Sequence, residues 1–345
     1  MRLRRVDCGG TGITRRRRGG GFQYLDKGRT VTDNEVLERV RALAIPPAWE
    51  DVWICPFPMG HIQATGVDAA GRKQYRYHDR WRERRDAQKF DSMVEFASAL
   101  PRVRRRVKKD LARDDMGRDR VLGGAVRLLD RGFFRIGSEG YAEHNESYGL
   151  ATIRKDHVTV ADGAIDFAYD AKGGKSQVYR LIDHDALGLV EALTRRRGGG
   201  PELLAYKQGR RWTDVKSADI NEYLKQAAGG DFSAKDFRTW NATVYAALAL
   251  SVSAEVARGT RTARKRAIKR AIEEVAELLG NTPAVCRASY IDPRVFDRFD
   301  GGLTIAGVLG EMADTGTWPI LHRSVEEGVL DLLADDRNSY AVEKA

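Results

Sequence analysis

Tyr290 stands nine positions beyond Asn281, at the end of a segment that opens with Gly280-Asn281-Thr282-Pro283. Gly280 closes a long helical pattern and Pro283 forces a turn after it, so a phenolic hydroxyl is set near an amide donor. A tyrosine so placed is more often a half-buried packing residue with a wet tip. Chemistry at Tyr290 therefore needs partners, and four other side chains could supply them: Arg135, Lys172, Arg238 and Asn281. Phosphodiester transfer without a metal needs an in-line nucleophile, donors for the non-bridging oxygens and an acid for the leaving oxygen. A phenol suits the first role because an aryl phosphodiester keeps the bond energy needed for reversal. Two guanidinium forks, an amine and an amide cover the rest.

The elements that must carry these groups are partly legible. Ser233, with Asp236 three positions later, resembles a capping box, and Phe237, Trp240, Val244 and Leu248 then mark one buried helical face. Lys235 and Arg238 fall in the first two turns of that helix, where the dipole already presents positive potential, so an anion is expected opposite them. The helix before Tyr290 shows the same mismatch, with Arg264-Lys265-Arg266 and Lys269-Arg270 early and Glu273, Glu274 and Glu277 late. Lys172 sits in Ala171-Lys172-Gly173-Gly174-Lys175, a tight hairpin between alternating runs, where a lysine is usually plain surface. Arg135 lies in Phe133-Phe134-Arg135-Ile136-Gly137 and by itself could be an arginine snorkelling past aromatics.

Of 345 residues, 59 are Lys or Arg and 49 Asp or Glu, a net charge of +10 that favours a polyanionic partner. Three distant cysteines, Cys8, Cys55 and Cys286, argue against a disulfide or zinc framework and for a reducing compartment. The six histidines never recur at ligand spacing, so no metal site is expected. No apolar run is long enough to span a membrane, no secretion signal is visible, and no phosphate-binding Gly-Lys-Ser/Thr loop occurs. A bound nucleotide or other cofactor is accordingly not expected.

Taken in order, residues 1 to about 30 are Gly- and Arg-rich around Arg15-Arg16-Arg17-Arg18, and read as a solvated tail or loop or as a flexible clamp on phosphates. A short helix capped by Asp33 runs to about Leu43 and is stopped by Pro46-Pro47. Strands follow at Val52 to Cys55, His61 to Val67 and Gln74 to His78, the last alternating aromatic with polar residues. A domain boundary is expected near residue 90, where long helical periodicity begins with the stripe Phe90, Met93, Phe96, Leu100. Helix continues through Val121 to Leu129 and breaks at Arg131 to Gly137. Alternation then predicts extended segments at Ala151 to Arg154, His157 to Val160, Ile165 to Asp170 and Ser176 to Ile182. From about Ala186 the chain reads as helical.

At this point the chain resembles a known family, the type IB DNA topoisomerases, in the short form shared by poxviruses and some bacteria. The resemblance runs nearly the whole length, through Gly71-Arg72-Lys73-Gln74-Tyr75-Arg76-Tyr77, Phe134-Arg135-Ile136-Gly137 with Tyr141 and Asn145-Glu146 behind it, the Lys172 hairpin, Lys235-Asp236-Phe237-Arg238-Thr239, and Gly280-Asn281-Thr282-Pro283 ending at Tyr290. It implies an α+β fold: a small β-rich N-terminal domain, 1–90, and a larger, mostly helical catalytic domain, 91–345, with a small three-stranded sheet, together clamping duplex DNA. It implies that Tyr290 attacks a phosphodiester to form a 3′-phosphotyrosyl link, that Arg135 and Arg238 bind the phosphate, and that Lys172, with Arg135, protonates the leaving 5′-oxygen. Asn281 takes the place of a histidine in the viral enzymes and can donate one neutral hydrogen bond to the phosphate but carries no proton. Gln74, Tyr75, Tyr77, Tyr141 and Lys235 match DNA-contacting positions. Relaxation of supercoiled DNA without ATP or metal is the activity implied. The partner is double-stranded DNA, with no membrane, and the chain is expected to act as a monomer, cytoplasmic and nucleoid-associated if bacterial.

Two other readings compete. A tyrosine recombinase or integrase uses nearly the same groups, but usually carries His-x-x-Arg where this chain has Lys235-Asp236-Phe237-Arg238, and exchanges a C-terminal element between protomers. A non-catalytic DNA clamp would keep only the basic surface.

Overall fold

The computed structural model describes residues 2–140, 142, 146–257, 260–312 and 323–344. The chain divides into two compact units, Met1–Asp91 and Ser92–Ala345.

The first unit is a six-stranded antiparallel sheet of β1 (Ile13–Arg18), β2 (Gly21–Asp26), β3 (Arg29–Thr30), β4 (Glu50–Ile54), β5 (Ile62–Val67) and β6 (Lys73–Tyr77), ordered β3-β2-β1-β4-β5-β6. Helix α1 (Asn34–Ala42) starts on the Asp33 carboxylate, which accepts from the N–H groups of Glu35 and Val36. Its Val40 is buried with Ile13, Val52, Ile54 and Ala64 as the core of this unit. The arginine-rich start is thus not a tail. Arg18 pairs with Gly21 across a Gly19-Gly20 turn, Gly19 at φ 56°, and the two strands close a hairpin. Arg15 is spent on the fold, donating to the carbonyls of Ile45, Pro46 and Trp49 at 3.2, 3.0 and 2.6 Å and lying over Phe22.

Helix α2 (Asp79–Leu111) begins at Asp79 rather than near residue 90. Its first turns announce nothing to a periodicity argument, because between Arg80 and Gln88 only Trp81 and Ala87 are apolar. Beyond them Phe90, Met93, Phe96 and Leu100 are all buried, as their spacing predicts.

In the second unit α3 (Arg118–Arg131) leads into a three-stranded antiparallel sheet of β7 (Val158–Ala161), β8 (Ala164–Ala171) and β9 (Lys175–Leu181). Ile165, Phe167 and Tyr169 are buried on one face of β8. Ala151 to Arg154 is not a strand. Gly149 donates to the Thr152 hydroxyl at 3.0 Å and curls the chain there, which leaves a single bridge between Arg154 and Glu202. Helix α4 (His184–Thr194) is followed by a hairpin, β10 (Ala205–Gln208) and β11 (Arg211–Asp214), inside a stretch that reads as helical. Helices α5 (Ser217–Ala228), α6 (Ala234–Ala257), α7 (Arg261–Leu279), α8 (Pro283–Ser289), α9 (Pro293–Asp300) and α10 (Arg323–Ala334) complete the described helices used below.

Helix α6 is the spine of this unit. Phe237, Trp240, Val244 and Leu248 are buried along one face, each stabilising the fold by about 1.5–3 kcal/mol or more. Phe237 meets Phe96 of α2 edge-on at 4.9 Å. The Trp240 indole donates to Glu326 of α10 at 2.9 Å, and Arg104 of α2 bridges Glu326 and Asp130, so the buried charges are paired. Among the described residues no helix is long and apolar enough to cross a membrane.

Candidate active site

Each candidate side chain is held by an identifiable local device. Phe134, buried against Phe167 at 4.9 Å and Tyr179 at 5.2 Å, nails its segment to the sheet, and alternation turns the next residue, Arg135, outward. Leu150 and Ala151 donate to the carbonyls of Arg135 and Ile136 at 2.8 and 2.7 Å. The two segments can approach because Gly137 and Gly149 face each other: a Cβ on Gly149 would meet the Gly137 nitrogen at 2.5 Å. Lys172 lies in the three-residue turn between β8 and β9, where Gly173 and Gly174 take φ 85° and 68°.

At the start of α6 the Asp236 carboxylate accepts from the Ser233 N–H and hydroxyl at 2.8 and 3.0 Å, and Asn221 accepts from the Ala234 N–H. Arg238, 4% exposed, follows one turn later. Its guanidinium donates to the Phe133 carbonyl and, at 2.9 Å, to the Leu279 carbonyl, which the end of α7 leaves without a helical partner. It also lies 5.3 Å from the centre of the Tyr290 ring and hydrogen-bonds that side chain. One arginine thereby ties the Arg135 segment, the end of α7 and the tyrosine together.

Helix α7 closes in a Schellman turn: Gly280, at φ 62°, donates to Glu277 at 3.0 Å and Asn281 to Ala276 at 2.9 Å. Thr282 then caps α8 and Pro283 opens it. Tyr290 ends α8, its N–H bonded to the carbonyl of the buried Cys286 at 2.9 Å. The segment beyond is pinned to α6 by Thr243, whose hydroxyl donates to Thr239 at 2.9 Å and accepts from the Asp292 N–H at 3.1 Å.

Arg135, Lys172, Lys235, Arg238 and Tyr290 line one cavity of about 330 Å³, and among the described residues no carboxylate lines it. Burial alone would raise the Tyr290 pKa, but Arg238 and then Arg135 outweigh it, so the phenol is held below its ordinary value. Burial and the neighbouring Arg135 likewise lower the pKa of Arg238. The site is thus a partly desolvated pocket of four cations around one acidified phenol, suited to an anion with several oxygens.

The remaining candidates lie elsewhere. Asn281 does not line the cavity; its Oδ1 accepts from Arg135, and its Nδ2 is buried towards the Cys286 thiol. Gln74, Tyr75 and Tyr77 belong to the first unit, on β6. Tyr75 and Tyr77 are 42% and 37% exposed with their rings stacked at 5.9 Å, while the Gln74 amide donates to Asp68 at 2.9 Å. Tyr141 lies outside the described residues. Sequence reasoning missed Ser138, Ser147 and Tyr148, which also line the cavity. Tyr148 is set by an edge-on contact with His157 at 4.5 Å and by its N–H on the Asp170 carbonyl at 2.8 Å. Its only signal was proximity to Asn145-Glu146.

The chain matches two family models, one described as the catalytic core of eukaryotic DNA topoisomerase I, over residues 78–300, and one as the N-terminal domain of bacterial DNA topoisomerase IB, over residues 21–68. It is 31% identical over 288 residues to DNA topoisomerase 1B of Acanthamoeba polyphaga mimivirus, covering 81% of this chain and 85% of that one. It is 21% identical to DNA topoisomerase 1B of vaccinia virus (strain Copenhagen), covering 77% and 82%. With its catalytic-core match spanning well over half of the chain and a viral relative 31% identical over 81% of it, this chain belongs to the type IB DNA topoisomerase family, in its short form.

Proposed function

We propose that this topoisomerase relaxes supercoiled DNA by cutting one strand through a 3′-phosphotyrosyl intermediate, letting the free end swivel, and resealing it, with neither ATP nor metal. What carries the reading is that Tyr290 shares one cavity with four cations, Arg135, Lys172, Lys235 and Arg238. The Tyr290 oxygen gives up its proton to water and bonds to phosphorus. Arg135 and Arg238 offer N–H donors to the non-bridging oxygens as charge builds, and the bond to the 5′-oxygen breaks as Lys172 protonates it. Religation is the same path reversed, the 5′-hydroxyl returning its proton to Lys172 and displacing the phenol. Asn281 acts through Arg135, which it orients through its Oδ1. The two units close on duplex DNA as a clamp, with Tyr75 and Tyr77 in contact with it, and the chain acts as a monomer on DNA in the cytoplasm if its source is bacterial.

The test is plasmid relaxation. Supercoils of both signs should relax in EDTA without ATP, and denaturant should trap protein on the 3′ side of a nick. A magnesium requirement or 5′ attachment would overturn the mechanism.

The lowered Tyr290 pKa gives a pH prediction. Because the folded phenol loses its proton more readily than a free one, single-turnover adduct formation should rise with pH along a limb below the ordinary tyrosine value of about 10. Arg135→Ala should move that limb upward. A limb at the free-tyrosine position in both proteins would remove the electrostatic account.

The recombinase alternative is disfavoured by the anchoring of Tyr290 beside its own α6 through Thr243. Mixing Tyr290→Phe with Arg238→Ala should therefore restore no cleavage, whereas a tyrosine donated between protomers would restore it.

A further inference from the structure

Glu139 is a carboxylate four positions from Arg135 that the cleavage chemistry does not use. Left free beside an anion pocket, it would compete with phosphate for the Arg135 guanidinium. It is spent instead on a distant helix. Its Oε1 accepts from the Ser217 N–H at 2.9 Å and its Oε2 from the Ser217 hydroxyl at 3.4 Å, 78 positions along the chain. Ser217 is the first residue of α5, where an N–H has no partner within the helix, so the carboxylate gains both a hydrogen bond and the positive helix end. Burial pulls the Glu139 pKa up, but hydrogen bonds led by the Ser217 N–H, with Lys216 beside it, outweigh burial and hold the carboxyl below its ordinary value.

The helix that receives Glu139 is a fixed reference. The Asp219 carboxylate accepts from the Lys216 N–H at 2.9 Å and from Arg118 of α3 at 3.0 Å. Ile220, Tyr223 and Leu224 are buried, and the Tyr223 hydroxyl donates to Asp110 of α2 at 2.8 Å. Asn221, one turn after Ser217, accepts from the Ala234 N–H at 2.9 Å, so α5 also holds the start of α6, which carries Lys235 and Arg238. The Arg135 segment is pinned at Phe134 by its ring contacts and at Arg135 and Ile136 by the bonds from Leu150 and Ala151. Gly137, at φ 79°, then turns the chain, and Ser138 still lines the cavity before Glu139 reaches α5. One helix thus anchors both segments that bring arginines to the pocket.

We propose that Glu139 is a positioning residue for strand cleavage, which sets the loop carrying Arg135 against α5 and so at a fixed distance from Arg238. It touches no reacting atom. This rests on the reading of Arg135 as a donor to the scissile phosphate, and deepens it.

Single-turnover cleavage, DNA affinity and amide exchange would be measured on the full chain with Glu139→Ala, Glu139→Gln, Arg135→Ala and the Glu139→Ala/Arg135→Ala pair, well below the unfolding temperature of each. Glu139→Ala should slow cleavage about 10–100-fold, the scale on which a misplaced group is felt, with DNA affinity within about twofold of the parent's. Glu139→Gln keeps a carbonyl oxygen for the Ser217 N–H and should recover to within about threefold of the parent. Exchange of the Ser217 amide should speed by about tenfold or more in Glu139→Ala and much less in Glu139→Gln. The deciding readout is the pair: a residue that works through Arg135 should cost no more than about twofold when removed from the Arg135→Ala chain. Equal slowing in both backgrounds, a loss carried by DNA affinity, or no slowing at all would overturn the proposal. If Arg135→Ala itself cleaves at the parent's rate, the phosphate-binding reading falls and this inference with it. A slow Arg135→Ala chain that Glu139→Ala slows again by the same factor leaves that reading standing and removes only the positioning role.

Discussion

Tyr290→Phe should leave no covalent protein–DNA adduct and lower relaxation by about 10⁴-fold or more, the scale on which removal of a nucleophile is felt. The substitution is clean because it deletes one oxygen and keeps the ring. That ring lies 5.3 Å from the Arg238 guanidinium, and the N–H bond to Cys286 and the Thr243 clamp beyond it are backbone contacts that phenylalanine retains. What phenylalanine gives up is the hydrogen bond from Arg238, so DNA affinity should stay close to the parent's and stability should fall by only about 0.5–1.5 kcal/mol. Cys286 is no ready substitute, since it is buried with its pKa raised by that burial. Gel analysis after denaturant trapping decides the matter. A persistent adduct in the variant would move the nucleophile elsewhere, while equal activity would leave a DNA-binding clamp as the better reading.

Lys172→Ala should slow cleavage of ordinary DNA by about 10²–10⁴-fold, the usual range for a positioned acid. Lys172 is exposed on a hairpin turn, so its removal should change stability by no more than about 0.5 kcal/mol. The diagnostic comparison replaces the bridging 5′-oxygen by sulfur, a leaving group that departs well without a proton. On that substrate the variant should recover to within about tenfold of the parent, because the missing proton is no longer needed. Equal slowing on both substrates would mean that Lys172 binds phosphate instead of protonating the leaving group. Lys172→Arg should behave like the alanine variant on ordinary DNA, since a guanidinium gives up its proton too reluctantly to act as an acid.

Where sequence and structure agree, the signal is local. The Ser233 to Leu248 helix, the Gly280 stop and the glycine-supported Lys172 turn rest on contacts between residues a few positions apart, which spacing and residue type report directly. The mismatches have the opposite cause. Arg15 reads as a solvated cation because the carbonyls that claim it lie 30 to 34 positions later. The hairpin at Gly209 is a turn signal that the surrounding helices obscure, and the first turns of α2 carry no apolar stripe.

The same division runs through the site. By itself the amino-acid sequence determined which chemical groups were present, their order along the chain, and the helix ends and turns that expose them, because those depend on short-range sterics and capping. Only the tertiary structure decided that Asn281 meets Arg135, 146 positions away, at one remove from the cavity, and that Arg238 divides its donors between the Phe133 and Leu279 carbonyls beside the Tyr290 ring. Those choices follow from which buried polar groups must find partners once α6, α7 and the sheet have packed, a condition set by the whole fold and written at no single position.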